Sequence, residues 1–97
     1  MAEIAWTAEA ECWLKDIYDY IAQENPEAAF RVVEGIYEKA QFLSQFPELG
    51  YKYAGPSGQD VRILVYGHYR IAYLIKRDGN IDILGVFHGA LNIDRYL

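Results

Sequence analysis

The hydrophobic period of this chain changes once, from 3.6 residues to two, near Asp60. That switch dictates helices in the first part and a sheet in the second. Residues 3–6 read as a short first strand. Thr7 is a helix N-cap, and Glu9 and Glu11 sit where the helix dipole favours negative charge. Ala10, Leu14, Ile17 and Ile21 then recur on one helical stripe, with Trp13, Tyr20 and Glu24 off it. Asn25-Pro26 caps and opens a second helix, where the missing proline N–H costs nothing. Its stripe is Ala29, Val33, Ile36, Ala40 and Leu43, and Pro47 and Gly50 end it. Two antiparallel helices joined by a tight connection follow from this pattern.

Segments 61–66, 69–76 and 81–88 are rich in β-branched and aromatic residues. Gly67-His68 and Asp78-Gly79 are two-residue turn signals between them, which predicts an antiparallel meander. Residues 50–58, with three glycines and Pro56, read as a loop. With two-residue loops at both turns, cross-strand partners share a face. One face then holds Val61, Ile63, Val65, Ala72, Leu74, Ile81, Ile83 and Phe87, with Arg70 and Lys76 toward strand ends. The other holds Arg62, Leu64, Tyr66, Tyr69, Ile71, Tyr73, Ile75, Leu84, Val86 and His88. Both are largely apolar, and two helices cover only one. The second face, expected to be the one bearing Leu64 and Tyr73, is either closed by the C-terminal tail (Leu91, Ile93, Tyr96, Leu97) or meets another protein. Its mixture of Arg and Tyr favours the partner.

At 97 residues the chain suits one domain, residues 1–97, and leaves no room for a second core. No apolar run approaches the roughly 20 residues of a membrane span. The start, Met1-Ala2-Glu3-Ile4, lacks the basic and apolar regions of a signal peptide, so a cytoplasmic protein is expected. The single cysteine, Cys12, forms no internal disulfide and reads as filler. Residues 1–48 carry ten acids against three bases, and residues 49–97 four against six, so the halves are −7 and +2. An acidic helical half and a basic sheet half allow an anionic partner for the sheet, although solvated helices are commonly acidic.

In the helical half, Trp6-Thr7-Ala8-Glu9-Ala10, Ile17-Tyr18-Asp19-Tyr20-Ile21-Ala22 and Asn25-Pro26-Glu27-Ala28-Ala29 follow one another in an order that resembles that of ParE-like toxins. Phe46-Pro47-Glu48-Leu49-Gly50 is similar to the family's link out of the second helix. Val61-Arg62, then Val65-Tyr66-Gly67-His68-Tyr69-Arg70-Ile71-Ala72-Tyr73, and finally Val86-Phe87-His88-Gly89-Ala90, resemble its sheet. The resemblance spans nearly the whole chain, and its specificity lies in the order of the motifs. It implies an α+β domain of β-α-α-β-β-β order, a two-helix hairpin packed on a small antiparallel sheet. It further implies the toxin of a type II toxin–antitoxin, or plasmid stabilisation, system. Such a toxin forms a hetero-oligomer with a cognate ParD-like antitoxin, a segment of which folds on binding. The target implied for the ParE branch is DNA gyrase. The RelE branch cuts messenger RNA on the ribosome, and a non-toxic relic that still binds antitoxin is the third alternative.

A ribonuclease of this kind needs a base, an acid and cations on the developing phosphorane charge. Arg70, His88 and Tyr69 are the residues that could serve, but the expected register puts Arg70 on the face opposite His88. The RelE branch also uses lysines in the strand before the hairpin and an arginine near the end of the last strand. Here Val61-Arg62-Ile63-Leu64-Val65 has no lysine, and Gly89 follows His88. The catalytic equipment therefore reads as incomplete, and a non-enzymatic toxin is expected. An acidic chain is also poorly suited to binding nucleic acid directly. Arg62, Leu64, Tyr66, Arg70, Tyr73 and His88 are the candidate contacts for antitoxin or target. Taken singly, His88 reads as a structural histidine and the tyrosines as sheet packing. No metal-ligand spacing exists, and Gly55-Pro56-Ser57-Gly58 lacks the lysine and helix of a phosphate loop, so no cofactor is expected.

Overall fold

The computed structural model describes residues 1–54 and 58–97; residues 55–57 of the expected loop lie outside the described residues. The elements are β1 (Ile4–Trp6), α1 (Ala8–Ala22), α2 (Pro26–Gln41), a 3-10 turn (Phe42–Ser44), β2 (Tyr51–Lys52), β3 (Asp60–Tyr66), β4 (Tyr69–Ile75), β5 (Ile81–His88) and a final 3-10 turn (Ile93–Arg95). The sheet order is β1-β5-β4-β3-β2. It is mixed rather than antiparallel, because β1 runs parallel to β5 with Ile4 opposite Ile81 and Trp6 opposite Ile83. Tyr51 and Lys52, expected in a loop, pair with Ile63 and Arg62 and form a short edge strand.

The helix starts follow their capping residues. The Thr7 hydroxyl accepts from the Ala10 N–H at 3.1 Å and donates to the Ile83 carbonyl at 2.8 Å, so one group caps α1 and ties it to β5. Asn25 accepts from the Ala28 N–H at 3.1 Å, with Pro26 at the first helical position. Ala10, Ile36, Ala40 and Leu43 carry the helical contribution to the core. Gly35 permits the closest approach in that layer: a Cβ there would lie 2.0 Å from the Tyr66 hydroxyl.

The β3–β4 hairpin has the two-residue Gly67-His68 connection and the expected register, from Tyr66 opposite Tyr69 to Asp60 opposite Ile75. Gly67 has φ 56°, as the first central position of a type II′ turn requires. The second turn is one residue longer than expected. Lys76 N–H donates to the Asn80 carbonyl at 2.8 Å and Gly79 N–H to the Lys76 carbonyl at 2.9 Å, with Gly79 at φ 88°. Arg77, Asp78 and Gly79 thus form the loop, and the pairing moves by one. A bulge between Ala72 and Tyr73, whose partners are Gly85 and Ile83, leaves Leu84 over and restores the expected register beyond it.

That shift transfers Ile81 and Ile83 to the face of Leu64, Tyr66, Ile71 and Tyr73, and sends Leu84 to the other. With Ile4 and Trp6 beside them, this becomes the more apolar face, and the helices cover it. The expected assignment is therefore reversed: Leu64 and Tyr73 are buried (5% and 0% exposed) and Tyr66 packs against the same core. They do not form an open partner surface. The opposite face, with Ile63, Ala72 and Phe87, is covered at its centre by the chain's own C-terminal segment, in which Ile93 is buried and Leu91 and Leu97 pack beside it, while Val65 at the hairpin end of that face stays 54% exposed. Tyr96 stacks on Phe87 with ring centroids 5.4 Å apart, and the Tyr53 hydroxyl donates to Asp94.

Candidate functional site

Arg62 sits at the far end of β3 from the hairpin. Its Nε pairs with the Asp60 carboxylate at 3.0 Å, and its Nη1 donates to the carbonyls of Gly50 (3.1 Å) and Glu48 (3.4 Å). The side chain is mostly buried and buckles the link out of α2 to the sheet, so its charge is used inside the domain. Tyr73 holds the same link, donating to the Pro47 carbonyl at 2.6 Å and accepting from the Gly50 N–H at 2.9 Å.

The remaining candidates gather at the Gly67-His68 end. Tyr69 and His88 are cross-strand partners whose rings meet nearly perpendicular at 5.7 Å. The His68 ring lies 6.3 Å from His88, almost parallel to it. His88 Nδ1 accepts from the Ala90 N–H at 3.2 Å, so the neutral ring carries its proton on Nε2 and presents a donor. Arg70 faces the opposite side of the sheet, opposite Phe87, and donates to the Gly89 carbonyl at 2.5 Å. Arg70 and His88 thus stand on different faces, as the register predicts, and Arg62 lies several residues down the ladder. The three do not converge on one point. Among the described residues no group of three metal-ligating side chains occurs.

Beside Tyr69 and His88 lies a groove of about 530 Å³ between the C-terminal half of α1 and the sheet. Trp13, Asp16, Ile17, Tyr20 and Ile21 form the α1 wall; Tyr69, Val86 and His88 form the floor; Leu91 closes one end. β1 pairs with β5 only along Ile81–Ile83, so among the described residues β5 has β4 on one side and no strand on its β1 side from Leu84 onward, where the groove opens. Trp13 is its inner wall and also meets Phe87 and Tyr96 edge-on, at 4.7 and 5.0 Å, joining the groove to the tail-covered face. Sequence reasoning did not select Trp13, Ile17, Tyr20 or His68 as functional. The available signal was that Trp13 and Tyr20 are large aromatics off the buried stripe of α1.

Among the described residues no helix is long and apolar enough to cross a membrane. The sequence model of the ParE toxin of the type II toxin–antitoxin system parDE matches residues 4–92. The chain is 33% identical over 90 residues to Toxin RelE2 of Caulobacter vibrioides, covering 93% of this chain and 98% of that one. The toxin fold in a structure of the chromosomal ParDE system from P. aeruginosa superposes with a TM-score of 0.74 at 27% identity, over 91% of this chain and 96% of that one. A chain of the RelBE2 toxin–antitoxin complex from Mycobacterium tuberculosis shares the fold, with a TM-score of 0.66 at 22% identity over 90% and 96% of the two chains. The two-helix layer on a five-stranded mixed sheet and the family match over nearly its whole length agree: this chain belongs to the ParE family of toxins of type II toxin–antitoxin systems.

Proposed function

We propose that this toxin acts by binding a protein target, DNA gyrase, and is held inactive in a hetero-oligomer with a cognate antitoxin. The observation that carries this reading is the separation of the cationic and imidazole groups. Arg70 and His88 occupy opposite faces, and Arg62 is tied to Asp60 and two carbonyls. Phosphoryl chemistry requires those groups around one phosphorus. The ParE match supports gyrase as the target, by family analogy. Titrating the purified chain into a gyrase supercoiling reaction tests it. Loss of supercoiling with accumulation of cleaved complexes, reversed by antitoxin, is expected; unchanged supercoiling at micromolar toxin removes the gyrase assignment.

The second reading is ribosome-dependent mRNA cleavage. Its specific support is the Tyr69–His88 contact, which puts a phenol and an imidazole donor side by side, together with a relative named Toxin RelE2. In that case Tyr69→Phe and His88→Ala would each abolish cleavage.

A further inference from the structure

A cavity of about 380 Å³ opens on the tail-covered side of the sheet, between the start of α1, the strands β3 and β5, and the C-terminal segment. It is separate from the α1 groove, and the two share only Trp13. Trp13, Phe87 and Tyr96 line it as one aromatic cluster. Phe87 and Tyr96 lie nearly parallel at 5.4 Å, and Trp13 meets both edge-on. Tyr96 stays 49% exposed, so the stack leaves much of its ring open. Among the described residues, Glu9 is the one charged side chain lining the cavity, and it has no ion pair or hydrogen bond there. Two lining hydroxyls have already committed their hydrogens: Tyr53 donates to Asp94, and Thr7 to the Ile83 carbonyl. Their oxygens can therefore only accept. The α1 dipole places about half a positive charge at this helix end. The two carboxylates of the first turn, Glu9 and Glu11, outweigh it.

We infer that this cavity binds a small aliphatic ammonium, with its charge on Glu9 and the aromatic cluster and one N–H donated to the Tyr53 oxygen. An ammonium carries donors and no acceptor, which matches lining hydroxyls that can only accept. A cation over an aromatic face is attracted by the ring quadrupole, and more strongly where water is excluded. A carboxylate or phosphate would meet Glu9 and the negative ring faces, with no Arg or Lys in the lining to hold it. A neutral apolar ligand would desolvate Glu9 without supplying a counter-charge. The volume lies at the small end of the range for ligand cavities, which suits a chain of a few carbons. The tail completes the site. Tyr96 follows the buried Ile93 out of the final 3-10 turn, and Tyr53 is tied to Asp94 in that turn.

The test uses the whole chain with Trp6→Phe, so that Trp13 is the only tryptophan, titrated with n-butylammonium, n-butanol and butyrate. Butylammonium should shift Trp13 fluorescence and raise the melting temperature as its concentration rises. Butanol and butyrate, of the same length, should bind far more weakly. Glu9→Gln should weaken butylammonium about tenfold, the size of one charge-assisted hydrogen bond. Glu27→Gln, at the other end of the helical hairpin, should leave it unchanged. Tyr96→Leu should also weaken it; should that change loosen the tail, exposed Glu9 still tolerates exchange and decides the matter. Butanol binding as well as butylammonium, or unchanged affinity in Glu9→Gln, overturns the ammonium assignment. An equal loss in Glu27→Gln overturns it too, as attraction to net charge alone. No saturable binding of butylammonium at tens of millimolar overturns the site.

Discussion

The Tyr73 hydroxyl, in the middle of the central strand, donates a 2.6 Å hydrogen bond to the carbonyl of Pro47, the residue that ends the helical layer. The same oxygen receives the Gly50 N–H, so one buried phenol fixes both ends of the link from helices to sheet. Tyr73→Phe keeps the ring and leaves a buried carbonyl and N–H without their partner. Leaving such groups unsatisfied costs about 1–3 kcal/mol. At about 4–8 °C per kcal/mol for a domain of this size, thermal unfolding should show a drop well outside error.

The same residue sets an alkaline limit. Burial raises the Tyr73 phenol above its ordinary value of 10.0, and the hydrogen bond to Asp94, followed by burial, raises Tyr53. The folded form therefore holds these protons more tightly than the unfolded chain. Their contribution to stability is complete below about pH 10 and is lost as the pH rises through the folded-state values. Urea unfolding between pH 9 and 11.5 should show falling stability, with a shallower fall in Tyr73→Phe. An unchanged slope in that variant would assign the effect elsewhere.

Gly35 and Tyr66 should be coupled. Alanine in a helix interior is normally favoured over glycine by about 0.8–1.0 kcal/mol. Here the added Cβ would meet the Tyr66 ring, with Cζ at 2.8 Å. Gly35→Ala should therefore destabilise the parent and stabilise the Tyr66→Leu variant. A double-mutant cycle by thermal unfolding reads the change of sign.

The local devices were legible in the sequence: Thr7 and Asn25-Pro26 as helix starts, Gly67-His68 as a hairpin, and the face assignments of β3 and β4. What failed was one residue of register. Asp78-Gly79 permits both a two-residue turn and the three-residue loop that the chain adopts, and local sequence does not choose between them. Gly85 marked the compensating bulge. A Cβ there would lie 2.6 Å from the folded-back Phe87 ring, a contact that becomes visible only when Phe87 has a rotamer. That single slip moved Ile81 and Ile83, and so reversed which face the helices cover. The parallel pairing of β1 with β5 depends on contacts 77 residues apart, beyond any local signal. The groove was half-legible: Trp13 and Tyr20 stood out, but Val86 and Leu91 join them only in three dimensions.

The tail should behave as part of the fold. Ile93 is 6% exposed and covers Ile63, Ala72 and Phe87. Burying such a side chain contributes about 1.5–3 kcal/mol. Ile93→Asp should lower the melting temperature and increase binding of an apolar dye, whereas Arg95→Ala, on the exposed side of the same turn, should do neither.

The central claim is that this toxin works by binding rather than by cutting RNA, and mapping mRNA 5′ ends in a translating extract tests it most directly. With purified toxin added, the end profile should match the untreated extract, and Arg70→Ala and His88→Ala should leave it unaltered. New codon-phased ends that appear with the parent chain and vanish in either variant would contradict the account.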